Sequence, residues 1–249
     1  MRPSERMWHL LWKYALTTEF SAVWVDRLGL DEVGHRVGAD VRDARHLNRD
    51  ELADELFHMN SGATVIWADR LNDDWLQMIE FRGFACSNAL TDLSAHGGRA
   101  VSVGWGLNGL RDLTYVVDGF HTTGFSLTVP GGRYGSAPDA LDSLAEGLLF
   151  DIDDTSWMTD PGLSPGWLDF EEWSADLEAS GRAVGDMEGE EPLPEAFGDF
   201  YAWSLNGYHP PLATCVTSAL TLVGRLTGRE IDDAWLSGTH VRLTIPSRL

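Results

Sequence analysis

The pattern of apolar and polar positions over the first sixty residues predicts three helices around one strand. Apolar residues at helical spacing predict a first helix over residues 5–14, and the apolar, β-branched run Phe20–Val25 predicts a strand. A second helix is expected over Asp31–Val37, ended by Gly38. Asn48 then opens an N-x-x-E capping box, which predicts the start of a third helix.

The middle of the chain carries the turn signals of β-hairpins. Strands are expected on either side of short turns, pairing residues 63–68 with 75–81, 99–105 with 113–117, and 113–117 with 120–129. Asp118 and Gly119, in the last of these turns, form a strong two-residue hairpin signal. Between the first two hairpins, Ser87 or Asn88 is expected to cap a helix that ends at Gly97.

The last third of the chain combines helical and irregular patterns. Pro138 is expected to start a helix, whereas residues 151–200 show no sustained periodicity. A helix is expected over 212–223, ended by Gly228, and a short helix and a final strand between residues 233 and 245. Hairpins without regular strand–helix alternation predict an α+β fold with a mainly antiparallel sheet and packing helices.

Composition points to one folded unit with an ordinary core. The chain has 249 residues and is 43% hydrophobic, enough to bury a sizeable core without a disulfide or metal. Cys86 and Cys215 stand alone in the sequence and are expected as small buried residues. Four tryptophans in strand-like runs are expected to pack against the sheet: Trp24, Trp67, Trp75 and Trp105.

Charge narrows the possible partners. The 18 basic and 39 acidic residues give a net charge of −21, which argues against nucleic-acid binding and against adsorption to an anionic membrane. Residues 151–200 hold fifteen of the acids against Arg182 alone, a net charge of −14. We therefore expect a single α+β domain over residues 1–249, with 151–200 as an acidic, proline-containing insertion before the C-terminal helix and strand.

Targeting and cofactor signals are absent from the sequence. No apolar run approaches the length that spans a bilayer, and the amphipathic first helix does not read as a signal peptide. We therefore expect a cytoplasmic protein. The eight histidines show no spacing typical of metal ligands, so neither a metal nor another cofactor is expected.

Several stretches together resemble a known but uncharacterised family. They are W-L-Q-M-I-E-F-R-G-F from Trp75, L-S-A-H-G-G-R-A-V-S-V-G-W-G-L-N, Y-V-V-D-G and R-Y-G-S-A-P-D-A-L, with flanking elements at Arg27–Gly38 and Ala219–Ile231. This series resembles a family of actinobacterial proteins known only as a domain of unknown function. The resemblance covers most of the chain apart from about the first fifteen residues and the acidic segment. It implies a single domain and no particular activity.

A phosphatase motif gives the alternative function. Leu148–Thr155 fits the h-h-h-D-x-D-x-T signature of haloacid-dehalogenase-like phosphatases, in which Asp151 would be the nucleophile and Asp153 the acid/base, with Mg²⁺ bound. Such a motif opens its own fold, whereas here it follows a predicted helix, and no lysine lies after it to contact the phosphoryl group. An acid-rich segment also produces D-x-D by chance, so we favour a solvated acidic loop.

The glycine motif G-W-G-L-N-G suggests a dinucleotide site only at first sight. In such a site a helix follows the glycines and its N-terminal amides bind the pyrophosphate. Here Gly104–Gly109 is followed by the strand-like residues 113–117, so the glycines are expected to form a hairpin turn.

The acidic segment is the predicted binding surface. Its tryptophans either anchor it to the domain or form a recognition surface for a partner. We expect a non-enzymatic binding protein, similar in role to an immunity protein, inhibitor or adaptor, that presents this surface to a basic protein partner. A small-ligand sensor with an aromatic pocket is a further possibility. The predicted contact residues are Asp153, Asp154, Trp157, Trp167, Glu171, Glu172, Trp173, Glu188, Glu190 and Glu191.

Overall fold

One antiparallel sheet organises the protein. The computed structural model describes residues 5–59, 62–106, 109–128, 132–149, 167–182, 184–185, 191–198, 201 and 212–246. The strands in these ranges are β1 (Phe20–Asp26), β2 (Arg45–Leu47), β3 (Thr64–Arg70), β4 (Trp75–Phe81), β5 (Arg99–Gly106), β6 (Gly109–Val117), β7 (Phe120–Phe125) and β8 (His240–Ile245). They form a single eight-stranded sheet in the order β2-β8-β3-β4-β1-β5-β6-β7, with all neighbours antiparallel. The predicted α+β class and antiparallel sheet are confirmed.

Three predicted hairpins, β3–β4, β5–β6 and β6–β7, build most of this sheet. Asp118 and Gly119 have φ values of 50° and 79°, as a two-residue turn matched to the twist of its strands requires. Gly106 pairs with Gly109 across β5 and β6, so a strand follows the glycine motif. The predicted hairpin is therefore confirmed there, although β7 ends at Phe125 rather than at residue 129.

Helices cover the sheet and lie between its hairpins. They are α1 (Arg6–Lys13), α2 (Leu30–Val37), α3 (Arg49–His58), α4 (Ala85–Asn88), α5 (Leu90–Ser94), α6 (Asp142–Ala145), α7 (Trp167–Ala179), α8 (Leu212–Thr227) and α9 (Asp233–Leu236). Gly38 and Gly228 follow α2 and α8 in the left-handed region, with φ values of 74° and 79°. Asn48 and Glu51 form the predicted capping box at the start of α3.

The sheet is buried on both faces. One face packs against α1, α3, α8 and α9, and its core includes the four tryptophans predicted to be buried, each at most 2% exposed. The opposite face, with Val23 and Val25 of β1, packs against α2, α4 and α5. Because neighbouring side chains of a strand point to opposite faces, every residue of β1 is buried. This explains why β1 is an apolar run without alternation.

Two predicted helices differ from the structure. Ser87 and Asn88 lie inside the one-turn helix α4 and do not cap a longer helix, because their side chains make tertiary contacts. The Ser87 hydroxyl donates to Glu80, and the Asn88 carbonyl oxygen accepts from Arg111. The helix expected after Pro138 is limited to the four residues of α6. Helix α7, whose thirteen residues lie within the acidic segment, was not predicted.

Candidate functional site

Helix α7 forms the central element of the acidic segment, residues 151–200, as far as it is described. Phe170 and Leu177 are 3% and 7% exposed. Because they are seven positions apart, they share one face of the helix. The helix carries five acidic and no basic residues: Asp169, Glu171, Glu172, Asp176 and Glu178. It is therefore an amphipathic helix with an entirely acidic set of charges.

Trp173 lies half-buried between two phenylalanines. Its ring centroid is 5.9 Å from that of Phe170 and 5.4 Å from that of Phe197, and the two phenylalanine rings are 5.8 Å apart. Such separations are favourable for aromatic pairs. Phe197 belongs to a 3₁₀ turn, so the three rings hold α7 against a second part of the segment. These contacts favour an anchoring role for Trp173 over direct recognition.

The acidic side chains of α7 are displayed to solvent. Asp169, Glu172, Asp176 and Glu178 are all exposed, and none forms an ion pair with another described residue. Glu172 and Asp176 are four positions apart, where like charges repel by about 0.2–0.5 kcal/mol. Asp176 and Glu178 lie near the C-terminal end of the helix, which the helix dipole makes unfavourable for negative charge. These three carboxylates do not stabilise the helix that carries them.

Glu191, another predicted contact residue, has an internal partner. Its Oε2 lies 2.5 Å from Nη1 of Arg182, which is the segment's only basic residue. Its backbone carbonyl also accepts from the amide of Gly185 at 3.2 Å. Glu191 therefore closes a local turn after α7, and less of its charge is available to a partner than that of Glu172.

The other predicted site residues are less fully placed. Trp167 and Glu171 belong to α7, with Trp167 as its first residue. Five predicted contact residues fall outside the described residues: Asp153, Asp154, Trp157, Glu188 and Glu190. Asp151, the nucleophile of the alternative phosphatase motif, also lies outside them, as does Asp153 in its acid/base role.

A buried carboxylate on the sheet escaped the sequence analysis. Glu80 of β4 is 2% exposed. It accepts hydrogen bonds from the amides of Cys86 (2.6 Å) and Ser87 (3.2 Å) and from the hydroxyls of Ser87 (2.5 Å) and Ser21 (2.9 Å). These four donors satisfy both oxygens and fix α4 onto the sheet. Glu80 is therefore a structural group.

Neither cysteine is a candidate nucleophile. Cys86 and Cys215 are both thiols, and both are fully buried. Burial, together with the nearby Glu80 carboxylate, raises the pKa of Cys86 well above its ordinary value. Burial raises the pKa of Cys215 to about 12. Both stay protonated near neutral pH, whereas nucleophilic chemistry requires the thiolate. The prediction that they are small buried residues is confirmed.

A buried ionic cluster joins the edge of the sheet to α3. Arg242 of β8 is 1% exposed, with Nη2 2.5 Å from Glu55 and Nη1 2.6 Å from Asp43. The hydrogen bond from Arg242 lowers the pKa of Asp43. Arg45 adds a second cation 3.4 Å from Glu55. Because Arg242 is buried and Glu55 is only 17% exposed, the two charges depend on each other, and their pairing maintains the position of α3, whereas Asp43 and Arg45 lie at the solvent-exposed margin of the cluster.

His240 forms a carboxylate–histidine pair whose second nitrogen is also engaged. Nδ1 lies 3.0 Å from Oδ2 of Asp69, and Nε2 lies 2.6 Å from the carbonyl oxygen of Trp235. The imidazole also stacks on the Trp235 ring at 4.1 Å. A general base needs a nitrogen within reach of its substrate. Here both nitrogens are occupied, and the pair locks β8 to β3 and α9.

Two further properties concern the described residues as a whole. Among them, no group of three or more His, Cys, Asp or Glu residues is arranged to hold a metal ion. In the same part of the chain, no helix combines the length and the apolar character that a membrane crossing requires.

The comparisons with known proteins give one match. The sequence model of a family of unknown function (DUF6461) matches residues 5–162, which confirms the predicted resemblance to an uncharacterised family. The match begins earlier than the resemblance predicted, with α1, and does not extend to Ala219–Ile231. No curated protein and no solved structure matches the chain.

Proposed function

We propose, for a chain that belongs to the family of unknown function DUF6461, a non-enzymatic role in which the acidic segment binds a basic protein partner. One observation carries the proposal: α7 displays Glu172, Asp176 and Glu178 to solvent without a cation to neutralise them among the described residues. Carboxylates that work against their own helix are best explained by an interaction outside it.

Electrostatics supplies the mechanism. Residues 151–200 contribute −14 of the net charge of −21, so the field of the protein is concentrated at one segment. Such a field accelerates the encounter with an oppositely charged surface and rejects acidic partners. A basic protein that meets the exposed face of α7 would relieve the repulsion between Glu172 and Asp176. The aromatic cluster around Trp173 would hold the acidic face in place during the encounter.

The role is that of an immunity-like inhibitor or an adaptor that acts in the cytoplasm on a basic protein such as a toxin or nuclease. This class rests on analogy with small acidic proteins and on the charge of the segment. In this proposal residues 151–200 are an insertion in a single domain. The contact surface extends from α7 to the other acidic and tryptophan residues of the segment, including Asp153, Asp154, Trp157, Glu188 and Glu190.

Calorimetric titration against the purified basic products of neighbouring genes tests the proposal. We expect one of them to bind, with an affinity that falls steeply between 50 and 300 mM salt because screening weakens exposed charges. The variant Asp169→Asn/Glu172→Gln/Asp176→Asn/Glu178→Gln should bind at least about tenfold more weakly. Binding that is unchanged in this variant and insensitive to salt would refute the acidic-surface proposal.

A further inference from the structure

A cavity between α1, α3 and α9 has two cations, Lys13 and Arg49, and one carboxylate, Asp50, in its lining. It has a volume of about 510 Å³ and lies between the end of α1, the first turn of α3 and the residue that follows α9. Its lining includes Lys13, Tyr14, Asn48, Arg49 and Ser237. A volume of this size suits a small organic molecule.

Arg49 is the unusual residue of this cavity. Its guanidinium is half-buried and lies over the ring of Phe81, 5.4 Å from the centroid. Nη2 donates to the carbonyl oxygen of Tyr14 at 3.2 Å, while Nε is buried without a hydrogen-bond partner. No carboxylate of the described residues lies within ion-pair distance of it. Burial lowers the pKa of Arg49, and only Asp50 offsets this effect.

Three other arginines that are partly or fully buried do have a carboxylate partner. Arg242 meets Glu55 and Asp43, Arg99 meets Asp26 at 2.6 Å, and Arg229 meets Asp232 at 3.0 Å. Of the partly buried arginines that the structure describes, Arg49 and Arg111 have no such partner, and of these two only Arg49 has a buried guanidinium nitrogen without a hydrogen-bond partner. A desolvated cation without an anion is costly, and an external anion removes that cost.

The neighbouring groups add hydrogen-bond donors and one carboxylate that is not paired within the cavity, Asp50. Asp233 is already bound by Lys13 and by the hydroxyl of Tyr14, the latter at 2.8 Å. The Oδ1 atom of Asn48 accepts two backbone amides of α3, so its amide nitrogen remains available as a donor on the cavity wall. Asp50, at the rim, is exposed and forms no ion pair with Arg49.

We propose that this cavity binds a small molecule through a carboxylate or phosphate group that pairs with Arg49. Nη1 of Arg49 and the side-chain amide of Asn48 are the donors to that group, whereas Lys13, in the same lining, is already paired with Asp233. The planar guanidinium suits both oxyanions because it donates from a fixed geometry. Arg49, Asn48 and Lys13 lie in the part of the chain that matches the family, whereas Ser237 lies outside it, and the described lining contains no residue of the acidic segment.

Titrating the full-length protein with inorganic phosphate and with acetate, against chloride at equal ionic strength, tests this site. Binding is followed by NMR chemical shifts and by thermal unfolding. Arg49→Met keeps the aliphatic stem over Phe81 and removes the charge. Arg111→Met is the matched control, since Arg111 also stacks on a phenylalanine ring, 4.2 Å from the Phe84 centroid, and pairs with no described carboxylate.

We expect wild type and Arg111→Met to bind one of the two anions, with shifts centred on α3, and Arg49→Met to bind it at least about tenfold more weakly. Arg49→Lys should fall between them, because it keeps the charge and loses the planar donors. A response to phosphate alone assigns a phosphate ester and a response to acetate alone a carboxylate. If the wild-type protein binds neither anion, the proposal is overturned whatever the variants do. It is also overturned if a folded Arg49→Met protein binds the anion as tightly as wild type.

Discussion

Two acidic helices of the same protein use their carboxylates in opposite ways. In α3, Asp50 and Glu51 lie in the first turn, where the helix dipole favours them, and Glu51 also completes the capping box. Asp54 lies 3.6 Å from His58, and Glu55 binds Arg242. Every carboxylate of α3 therefore either lies in the first turn, where the helix dipole favours it, or has a charged or titratable partner.

Helix α7 contains no such arrangement. Only Asp169 lies in its first turn, and the exposed Glu172, Asp176 and Glu178 meet no described cation. The helix is held by its aromatic face instead, through Phe170. The comparison shows that acidic content by itself does not identify a binding surface. What distinguishes α7 is that three of its acids, Glu172, Asp176 and Glu178, have no structural role among the described residues.

The largest effect is expected from removing the aromatic support of α7. Phe170→Ala should cost about 3 kcal/mol of local stability, because it empties a position that is 3% exposed between two rings. Hydrogen exchange should show faster exchange across α7 and unchanged protection in the central strands. Unchanged exchange in α7 would mean that the three rings do not hold the helix.

A smaller loss is expected from the charged cluster that supports α3. Glu55→Gln should lower the free energy of unfolding by about 2 kcal/mol, because buried Arg242 loses one of its two carboxylates. Urea unfolding measures the change, and Glu172→Gln on α7 is the matched control. If the two substitutions lowered the free energy of unfolding equally, the carboxylates of α3 would be no more important to stability than those of α7, and the contrast between the two helices would be wrong.

Acid should weaken the α3 cluster in a defined range. The folded pKa of Asp43 is lowered by Arg242, so its contribution to stability is present above the unfolded pKa of about 4. That contribution is lost as the pH falls through the lower, folded pKa. The stability difference between wild type and Asp43→Asn should therefore shrink from pH 6 to pH 2 in urea unfolding. A difference that stays constant with pH would show that the ion pair between Asp43 and Arg242 does not contribute to the loss of stability in acid.

The smallest effect has the opposite sign. Glu172→Gln/Asp176→Asn should stabilise α7 by about 0.2–0.5 kcal/mol, since it removes a like-charge pair. Hydrogen exchange of the α7 amides is sensitive enough to detect the change. A destabilised helix would show that these carboxylates have structural partners after all.

Local signals explain what could be predicted from the sequence. The Asp118-Gly119 turn, the Asn48 capping box and the glycine after α8 act within a few residues, so the hairpins and these helix ends follow from sequence. Helices α4 and α6 have four residues each, too few for a periodic pattern. The sequence does contain a signal for α7, since Phe170, Trp173 and Leu177 follow helical spacing. The five acidic residues between and around these apolar positions made the helical pattern hard to recognise.

The polar sites could not be predicted for a different reason. Glu80 looks like an ordinary polar position of β4 until α4 folds back and presents its amides. Arg242 and Glu55, or Arg49 and Tyr14, are brought together only by the tertiary fold. The sequence located an acidic segment, but only the contacts separate Glu191, which binds Arg182, from Glu172, which has no ion-pair partner among the described residues.

The association rate with a basic partner tests the central claim most directly. Stopped-flow measurement compares wild type with two variants that each lose two exposed charges, Glu172→Gln/Asp176→Asn on α7 and Asp50→Asn/Asp54→Asn on α3. The account predicts that the α7 variant associates several-fold more slowly at low salt, on the order of threefold or more, while the α3 variant keeps the wild-type rate within about 1.5-fold. Equal slowing in both variants would mean that only the overall charge acts, and slowing in the α3 variant alone would place the partner on the other helix.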